Sequence, residues 1–195
     1  MALDASIESQ AVIGPNAVLQ TEAALAEAGG RELAETVFAR AGLSHLLVER
    51  PSAMIEEAAP KALFTALFAS LPRKEALAIA RRAGALTGAY ILANRIPGPV
   101  RALLRALPAR IAAPLLLNAI HRHAWTFAGS GVCTVSAGKP SRIEIENNPL
   151  AMPGCAWHVG VFEVLFGSLV SPRVRIGHDH GPKLEGAPCR FEIAF

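Results

Sequence analysis

The chain has 195 residues, of which 52% are hydrophobic and 18% charged, and it carries a formal net charge of +3. This length suits one sizeable domain and is too short for two domains of ordinary size. So apolar a composition requires a ligand, a partner or a membrane surface to cover part of the apolar surface. No apolar run reaches the roughly 18 residues of a membrane span, and residues 1–10 lack the basic segment of a secretory signal. We therefore expect a cytoplasmic protein.

The charge distribution narrows the choice of partner. Between Leu71 and His123 the ionised residues are basic, with Glu75 as the exception. Such a surface suits an anionic ligand, an acidic partner or anionic lipid head groups, and it also suits a set of solvated helix faces. Aromatic residues are too sparse among these arginines to stack bases, so we expect no nucleic acid as a partner. Three cysteines in a cytoplasmic chain argue against a disulfide framework.

Helices are predicted over most of residues 14–123, with a connector from Leu43 to Pro51. Prolines and glycines separate segments whose apolar residues recur at helical spacing. The predicted helices are Gly14 to Gly30, Arg31 to Ala41, Pro60 to Leu71, Lys74 to Ile96, Val100 to Leu107 and Pro108 to His123. Gly84 and Gly88 would allow the long Lys74 to Ile96 helix to pack closely against another helix. Pro114 predicts a kink or a late start in the last one.

Strands are predicted after residue 123. Ser141 to Asn147 alternates isoleucines with charged residues, which is typical of a half-buried strand. The other predicted elements are a bent strand over Trp125 to Ala137, a buried helix over Cys155 to Val170, and strands over Val174 to Gly177 and Ala187 to Phe195. This order predicts an α+β fold in which N-terminal helices pack on an antiparallel sheet. We expect one domain over residues 1–195, with a mainly helical part (1–123) and an α/β part (124–195).

The segment from Cys155 onward contains the candidate metal ligands. Because alternate side chains of an extended strand share a face, His178 and His180 would point the same way. Cys155 at a helix start and Cys189 on a neighbouring strand would complete two sulfurs and two nitrogens, a tetrahedral zinc set. The spacing is not that of a zinc finger, and two buried cysteines beside a polar turn are the alternative.

The remaining histidines and the missing motifs bound the chemistry. His121 and His123 diverge by about 200° on a helix, so they cannot bind one metal ion together. His158 lies in an apolar segment, and two interpretations of it are open: a hydrogen-bonded histidine of the core, or an axial ligand to a metallated ring. The sequence has no dinucleotide or phosphate glycine loop, no iron–sulfur cysteine pattern and no Gly-x-Ser-x-Gly motif. A reductase would therefore bind its electron donor without a recognisable motif.

Several short segments form a recognisable set. They are Gly129 to Gly131, Asn148-Pro149, Cys155, Gly160 to Gly167, Gly186 and Cys189 to Ile193, together with Ile13 to Asn16 and Ala124 to Gly131. This set, which extends over nearly the whole chain, resembles the 4-vinyl reductase domain family, in particular its members in bacteriochlorophyll biosynthesis. The resemblance implies a fold like the nitric-oxide-signalling and Golgi-transport ligand-binding domains, in which helices and a sheet enclose a hydrophobic pocket. It also implies a homodimer.

The same resemblance implies a structural zinc site. Relatives build it from a cysteine before the last helix, an acidic residue and two cysteines near the C-terminus. Here the first and last of these resemble Cys155 and Cys189, and the acidic position falls at about His178. The middle cysteine is absent, with Gly181 near its place. Either His178 and His180 have taken over as ligands or the metal has been lost.

The residues and the resemblance together favour binding of a chlorophyll-precursor porphyrin. Such a Mg-tetrapyrrole needs aromatic walls, arginines at its rim and a histidine for its magnesium. The predicted ligand-binding residues are Tyr90, Arg95, Arg101, Arg105, His123, Trp125, Phe127, Trp157, His158 and Phe162. We expect an accessory or carrier protein of bacteriochlorophyll biosynthesis that works beside membrane-associated pathway enzymes, in the cytoplasm or peripheral at the photosynthetic membrane. The alternatives are an 8-vinyl reductase and a structural or regulatory dimer that docks on a pathway enzyme.

Overall fold

The protein consists of a helical N-terminal part followed by a mixed part, and a computed structural model describes residues 11–180 and 188–195. The helices are α1 (Asn16–Arg40), α2 (His45–Val48), α3 (Ala58–Ser70), α4 (Arg73–Asn94), α5 (Gly98–Ala106), α6 (Ala109–Arg122), α7 (Trp125–Ala128) and α8 (Ala156–Leu169). The strands are β1 (Val12–Ile13), β2 (Ile55–Glu56), β3 (Val132–Ser136), β4 (Ser141–Glu146), β5 (Arg175–His180) and β6 (Cys189–Ala194). The α+β class is confirmed, whereas the likeness to a particular ligand-binding fold stays a prediction.

Helix α1 joins the first two predicted helices across a kink. Gly29 leaves helical backbone angles, and Gly30 has a φ of +74°, which glycine adopts without a steric penalty. The glycine pair therefore bends the helix instead of ending it. The small ladder of β1 with β2 has no counterpart among the predicted elements.

The strand predicted over Trp125 to Ala137 is wrong in its first part, which is the short helix α7. The amide of Ala128 donates a hydrogen bond of 2.7 Å to the carbonyl of Ala124, which closes a helical turn. Gly129, with a φ of +54°, then turns the chain, and β3 begins only after this turn. Apolar residues over so short a stretch suit a buried helical turn as well as a strand, so periodicity alone could not distinguish them.

Of the kink or late start predicted from Pro114 in α6, the late start does not occur. The helix begins at Ala109, because the carbonyl of Pro108 accepts hydrogen bonds from the amides of Ile111 at 2.8 Å and Ala112 at 3.0 Å. Pro114 lies inside the helix, which continues to Arg122.

The main sheet has the strand order β3-β4-β6-β5, and all its neighbouring strands are antiparallel. Ile143 and Ile145 on β4 and Phe191 and Ile193 on β6 are buried, and the positions between them are more exposed. One face of the sheet therefore closes the core, as the alternation along the predicted strand indicates.

Helix α8 lies between α4 and the sheet and is the centre of the fold. A Cβ added at Gly84 would overlap the backbone of α8, and one at Gly160 would overlap the backbone of α4, so the two helices touch through their glycines. The close packing predicted for Gly84 is thus confirmed. On its other side α8 packs Phe162 against Phe191 of β6, with ring centres 5.1 Å apart.

Candidate functional site

A cluster of two cysteines and a histidine lies where α8 meets the sheet. Cys155 immediately precedes α8, Cys189 opens β6, and His178 lies on β5. The two sulfurs are 2.6 Å apart, and both sulfurs and an imidazole nitrogen lie within 4.8 Å of one another. The structure thus brings together three of the four predicted metal ligands. His180 pairs with Cys189 in the sheet, but its side chain lies outside the described part of the protein.

A tight turn presents Cys155 to this cluster. Pro153–Cys155 forms a 3-10 turn in which Gly154 has a φ of +69° and Cys155 a φ of +38°. A positive φ is unfavourable for a residue with a Cβ, and it persists where the surroundings over-determine it, often at functional sites. The amide of Cys155 donates to the carbonyl of Met152 at 2.8 Å, which fixes the turn.

Asn148 supports the other cysteine of the cluster. Its Nδ2 donates to Cys189 Sγ at 3.2 Å, while its Oδ1 accepts from the amide of Leu150 at 3.0 Å. Because the bond from Leu150 sets the orientation of the side-chain amide, a donor and not an acceptor faces the sulfur. This donor favours the thiolate form of Cys189.

The two cysteines differ in acidity. The hydrogen bond with Cys155 lowers the pKa of Cys189 against the effect of burial, and His178 and Asn148 lower it further. The same hydrogen bond, together with burial, raises the pKa of Cys155. The two thiols therefore titrate as a coupled pair in which the thiolate is favoured on Cys189 and disfavoured on Cys155. Thiolate is the form of cysteine that binds metals.

The donor set fits the metal that the resemblance implies. Two sulfurs and one imidazole nitrogen are three of the four ligands of a tetrahedral zinc site. Among residues 11–180 and 188–195, no further histidine, cysteine or carboxylate joins these three residues as a fourth ligand. The fourth position would belong to His180, as predicted, or to a ligand that the protein does not supply.

Four of the predicted pigment contacts pack against one another in the core. The ring centre of His158 lies 4.9 Å from that of Trp157, 6.1 Å from that of Phe127 and 6.2 Å from that of Phe162. Trp157, His158 and Phe162 are buried, and Phe127 is half-buried. These rings contact each other, and their contact with a pigment stays a prediction.

His158 is fully buried, and within the described residues neither of its ring nitrogens makes a hydrogen bond of normal geometry. Burial lowers the pKa of its imidazole to about 3, the nearby His178 lowers it further, and the backbone of Phe127 offsets part of the effect. The side chain is therefore neutral near pH 7. The structure thus places His158 in the core, and its role as an axial ligand to a metallated ring stays a prediction.

The other six predicted pigment contacts lie outside this aromatic cluster. The guanidinium carbon of Arg95 is 5.9 Å from the ring centre of Tyr90, and Arg105 donates to the carbonyl of Ser168 at 3.0 Å. Arg101 is half-buried, and His123 and Trp125 are exposed. Their role toward a ligand also stays a prediction.

An open cleft of about 450 Å³ borders the metal-ligand cluster. Its walls come from α4, the turn before α8, the first turns of α8, and β5. The lining residues are Leu77, Ala78, Arg81, Gly154, Ala156, Val159, Ile176 and His178. The walls are thus apolar except at His178 and at Arg81, which is paired with Glu163. None of the ten predicted pigment contacts lines this cleft. Only His178 had a sequence signal, because the apolar residues meet here through tertiary packing alone.

Comparison with known proteins assigns the chain, whose structure is an α+β fold with two cysteines and a histidine beside an apolar cleft, to a family by sequence. No protein-family model matches the chain. The chain is 44% identical over 191 residues to the bacteriochlorophyll synthase 23 kDa chain of Cereibacter sphaeroides, with 93% of this chain and 89% of that protein covered. It is 41% identical over 187 residues to the protein of the same name from Rhodobacter capsulatus, with 93% and 86% covered. The chain therefore belongs to the family of the bacteriochlorophyll synthase 23 kDa chains. A 4-vinyl reductase domain stays a prediction.

Proposed function

We propose that this protein works in bacteriochlorophyll biosynthesis as an accessory protein that holds a chlorophyll-precursor porphyrin and presents it to pathway enzymes. Both relatives are named as a chain of bacteriochlorophyll synthase, and the identity extends over most of their lengths. A chain of a synthase works beside other proteins, which supports an accessory role. The names of the relatives also support the other enzymes of the pathway as binding partners of this protein.

The single structural observation that supports pigment binding is the cleft between α4, α8 and β5. Its volume of about 450 Å³ lies within the roughly 300–1,000 Å³ of small-molecule sites. A chlorophyll precursor is a flat apolar disc with carboxylate arms, so an open cleft with apolar walls would accept its edge. Arg81, whose side chain stays 57% exposed beside its partner Glu163, is the basic group that would orient the carboxylate arms of the pigment.

Filling this cleft is expected to weaken pigment binding. Ala78 is exposed on α4 and lines the cleft, so Ala78→Trp adds an indole there without entering the core. We expect an absorbance titration with Mg-protoporphyrin or divinyl protochlorophyllide to show one-to-one binding, and binding to Ala78→Trp to be weaker by about tenfold or more. Ala69→Trp is the matched control, because Ala69 is an exposed helical alanine that lines a different cleft.

Repeating the titration with an electron donor separates the proposal from its alternatives. An unchanged pigment spectrum in the presence of reduced nicotinamide or reduced ferredoxin supports a holding protein, whereas donor-dependent loss of the vinyl signature would favour an 8-vinyl reductase. Equal affinity of Ala78→Trp and Ala69→Trp would rule out the cleft as the site. Absence of binding to either pigment would contradict the proposal as a whole and favour a docking dimer.

We also propose that Cys155, His178 and Cys189 bind a structural Zn²⁺ ion. The proposal is supported by the convergence of three donor atoms, by the thiolate character of Cys189 and by the unfavourable backbone conformation of Cys155. These residues would hold the metal between the start of α8 and the strands β5 and β6. The metal would supply a cross-link between these elements, and its binding would add to the stability of the fold.

Removing one sulfur is expected to abolish this metal site. Cys189→Ser should purify without the single zinc of the unaltered protein and bind added Zn²⁺ about 100-fold more weakly or worse, because even residues outside the ligand set contribute ~10–100-fold. Metal analysis and the thiolate absorption of the Co²⁺-substituted protein are the measurements. Cys133→Ser, which alters a buried cysteine outside the cluster, should keep both signals. A zinc content that is the same in Cys189→Ser and in the unaltered protein would refute the site.

A further inference from the structure

We propose that the outward faces of α5, α6 and α7 dock the protein on an anionic lipid bilayer. Nine large hydrophobic residues are exposed in the described part of the chain, and five of them fall between residues 100 and 125. These are Val100 at 43%, Leu103 at 57%, Ile111 at 44%, Leu115 at 49% and Trp125 at 56% exposure. The five side chains, with Arg110 and Arg122, constitute the interfacial surface. None of these seven residues lines the cleft, so the proposal does not depend on pigment binding.

Helix α6 shows that this exposure is not incidental. Its core face carries Ala112, Leu116 and Ile120, which are buried. Ile111 and Leu115 are four residues apart on the opposite face, and Arg122 continues the same stripe. The outward face of a helix on a water-soluble protein is normally polar. On α6 the centre of that face is apolar and basic instead, as in helices that lie in a membrane interface.

The charges in the stretch of sequence that carries this surface have one sign. The sequence contains no aspartate or glutamate from Ala76 to Ile143. The arginines of α4 that face other helices are neutralised, since Arg81 pairs with Glu163 and Arg82 with Glu27. By contrast, within residues 11–180 and 188–195 neither Arg110 nor Arg122 forms an ion pair. Unpaired arginines beside exposed apolar side chains suit lipid phosphates and acyl chains together.

An anionic bilayer matches these features better than the other possible occupants. A second copy of the chain would bring like charges together, and a single pigment would cover only part of a surface spread over three helices. A bilayer supplies an extended apolar layer beneath negatively charged head groups. Each arginine near the head groups raises the binding constant by roughly tenfold or less. Tryptophan is favoured at the boundary between the two layers. The described residues include no helix long and apolar enough to cross a membrane. The contact proposed is therefore with the bilayer surface.

Trp125 allows this contact to be measured directly. The chain has two tryptophans, of which Trp157 is 3% and Trp125 56% exposed. Acrylamide therefore quenches Trp125 first. With vesicles of phosphatidylcholine containing phosphatidylglycerol we expect co-sedimentation, a blue shift of the emission and protection from acrylamide. With pure phosphatidylcholine vesicles, or at high salt, we expect all three signals to weaken.

Two double variants test the apolar and basic components separately. Ile111→Glu with Leu115→Glu should lower vesicle binding by about tenfold or more, and Arg110→Gln with Arg122→Gln by about tenfold. Val48→Glu is the matched control, because Val48 is 85% exposed on α2, outside the interfacial surface, and it should bind like the unaltered protein. Circular dichroism confirms that each variant is folded. The double arginine variant changes only surface charge. If the double glutamate variant unfolds, the vesicle binding of the arginine variant still tests the proposal.

Three results would overturn the proposal. The first is equal vesicle binding by the unaltered protein and both double variants. The second is equal binding to neutral and anionic vesicles. The third is the absence of vesicle binding together with a concentration-dependent self-association that the glutamate pair abolishes, which would assign the surface to a second copy of the chain.

Discussion

Replacement of Gly160 by alanine is expected to lower the free energy of unfolding by about 3 kcal/mol or more. A Cβ at this position would overlap the carbonyl oxygen of Arg81 and lie 2.9 Å from the amide nitrogen of Ala85. Both obstacles are backbone atoms of α4, so no side chain can rotate away, and the two central helices would have to separate. Overpacking a core commonly costs about 1–3 kcal/mol and more where the backbone must move. Urea denaturation monitored by circular dichroism gives the value.

Gly167 supplies the matched control on the same helix. A Cβ there would meet only Val174 Cγ1, at 3.7 Å, which is an ordinary contact. Gly167→Ala is expected to leave the protein as stable as before or to stabilise it by up to about 1 kcal/mol, because alanine is the better helix former. Equal stabilities of the two alanine variants would contradict the close approach of α4 and α8.

Acid is expected to destabilise the protein through His158. Its folded pKa of about 3 lies below the ordinary 6.5, so between these values the unfolded chain takes up a proton that the folded protein excludes. The stabilising effect of the neutral ring is complete above the ordinary pKa and is lost as the pH falls toward the folded one. The expected loss is about 1.4 kcal/mol per pH unit. Unfolding free energies measured at a series of pH values from 7 downward, in about half-unit steps, test this slope.

The contribution of His158 to the pH dependence of stability is isolated by comparing two histidine variants. His158→Phe places a non-titrating ring among the neighbouring aromatic rings, and it should lose this part of the slope even if its stability at neutral pH changes. His123→Gln removes an exposed histidine and should keep the full slope. If His158→Phe loses stability with falling pH as steeply as the unaltered protein, then the imidazole is not held neutral in the core.

The features predicted correctly from the sequence are those that depend on local pattern. The isoleucines alternating along Ser141 to Asn147 locate β4 because a strand exposes every second residue to water. Gly84 predicts a close helix contact because it has no side chain to keep a neighbour away. Trp125 to Ala128 is misassigned because four residues are too few for the helical and extended periods to differ.

The candidate site likewise contains residues that the sequence predicts and residues that it does not. Cys155, His178 and Cys189 stand out in the sequence because cysteine and histidine are rare and have few reasons to recur together. The cleft is built from alanine, valine, leucine and isoleucine side chains, which are common everywhere in the chain. Likewise, the sequence places His158 in an apolar segment but does not show which rings surround it or how completely it is buried. Those facts arise from the packing of distant elements.

The position of β6 sets an order for the assembly of the sheet. Strand β6 follows β5 in the chain, yet it lies between β4 and β5. When the chain is made on a ribosome, β5 therefore emerges with no strand to join, and it must wait for residues 189–194 to insert against the edge of β4. Since β6 carries Cys189 and joins β5 to β4, an intact Cys155–His178–Cys189 set is a marker that these strands are paired.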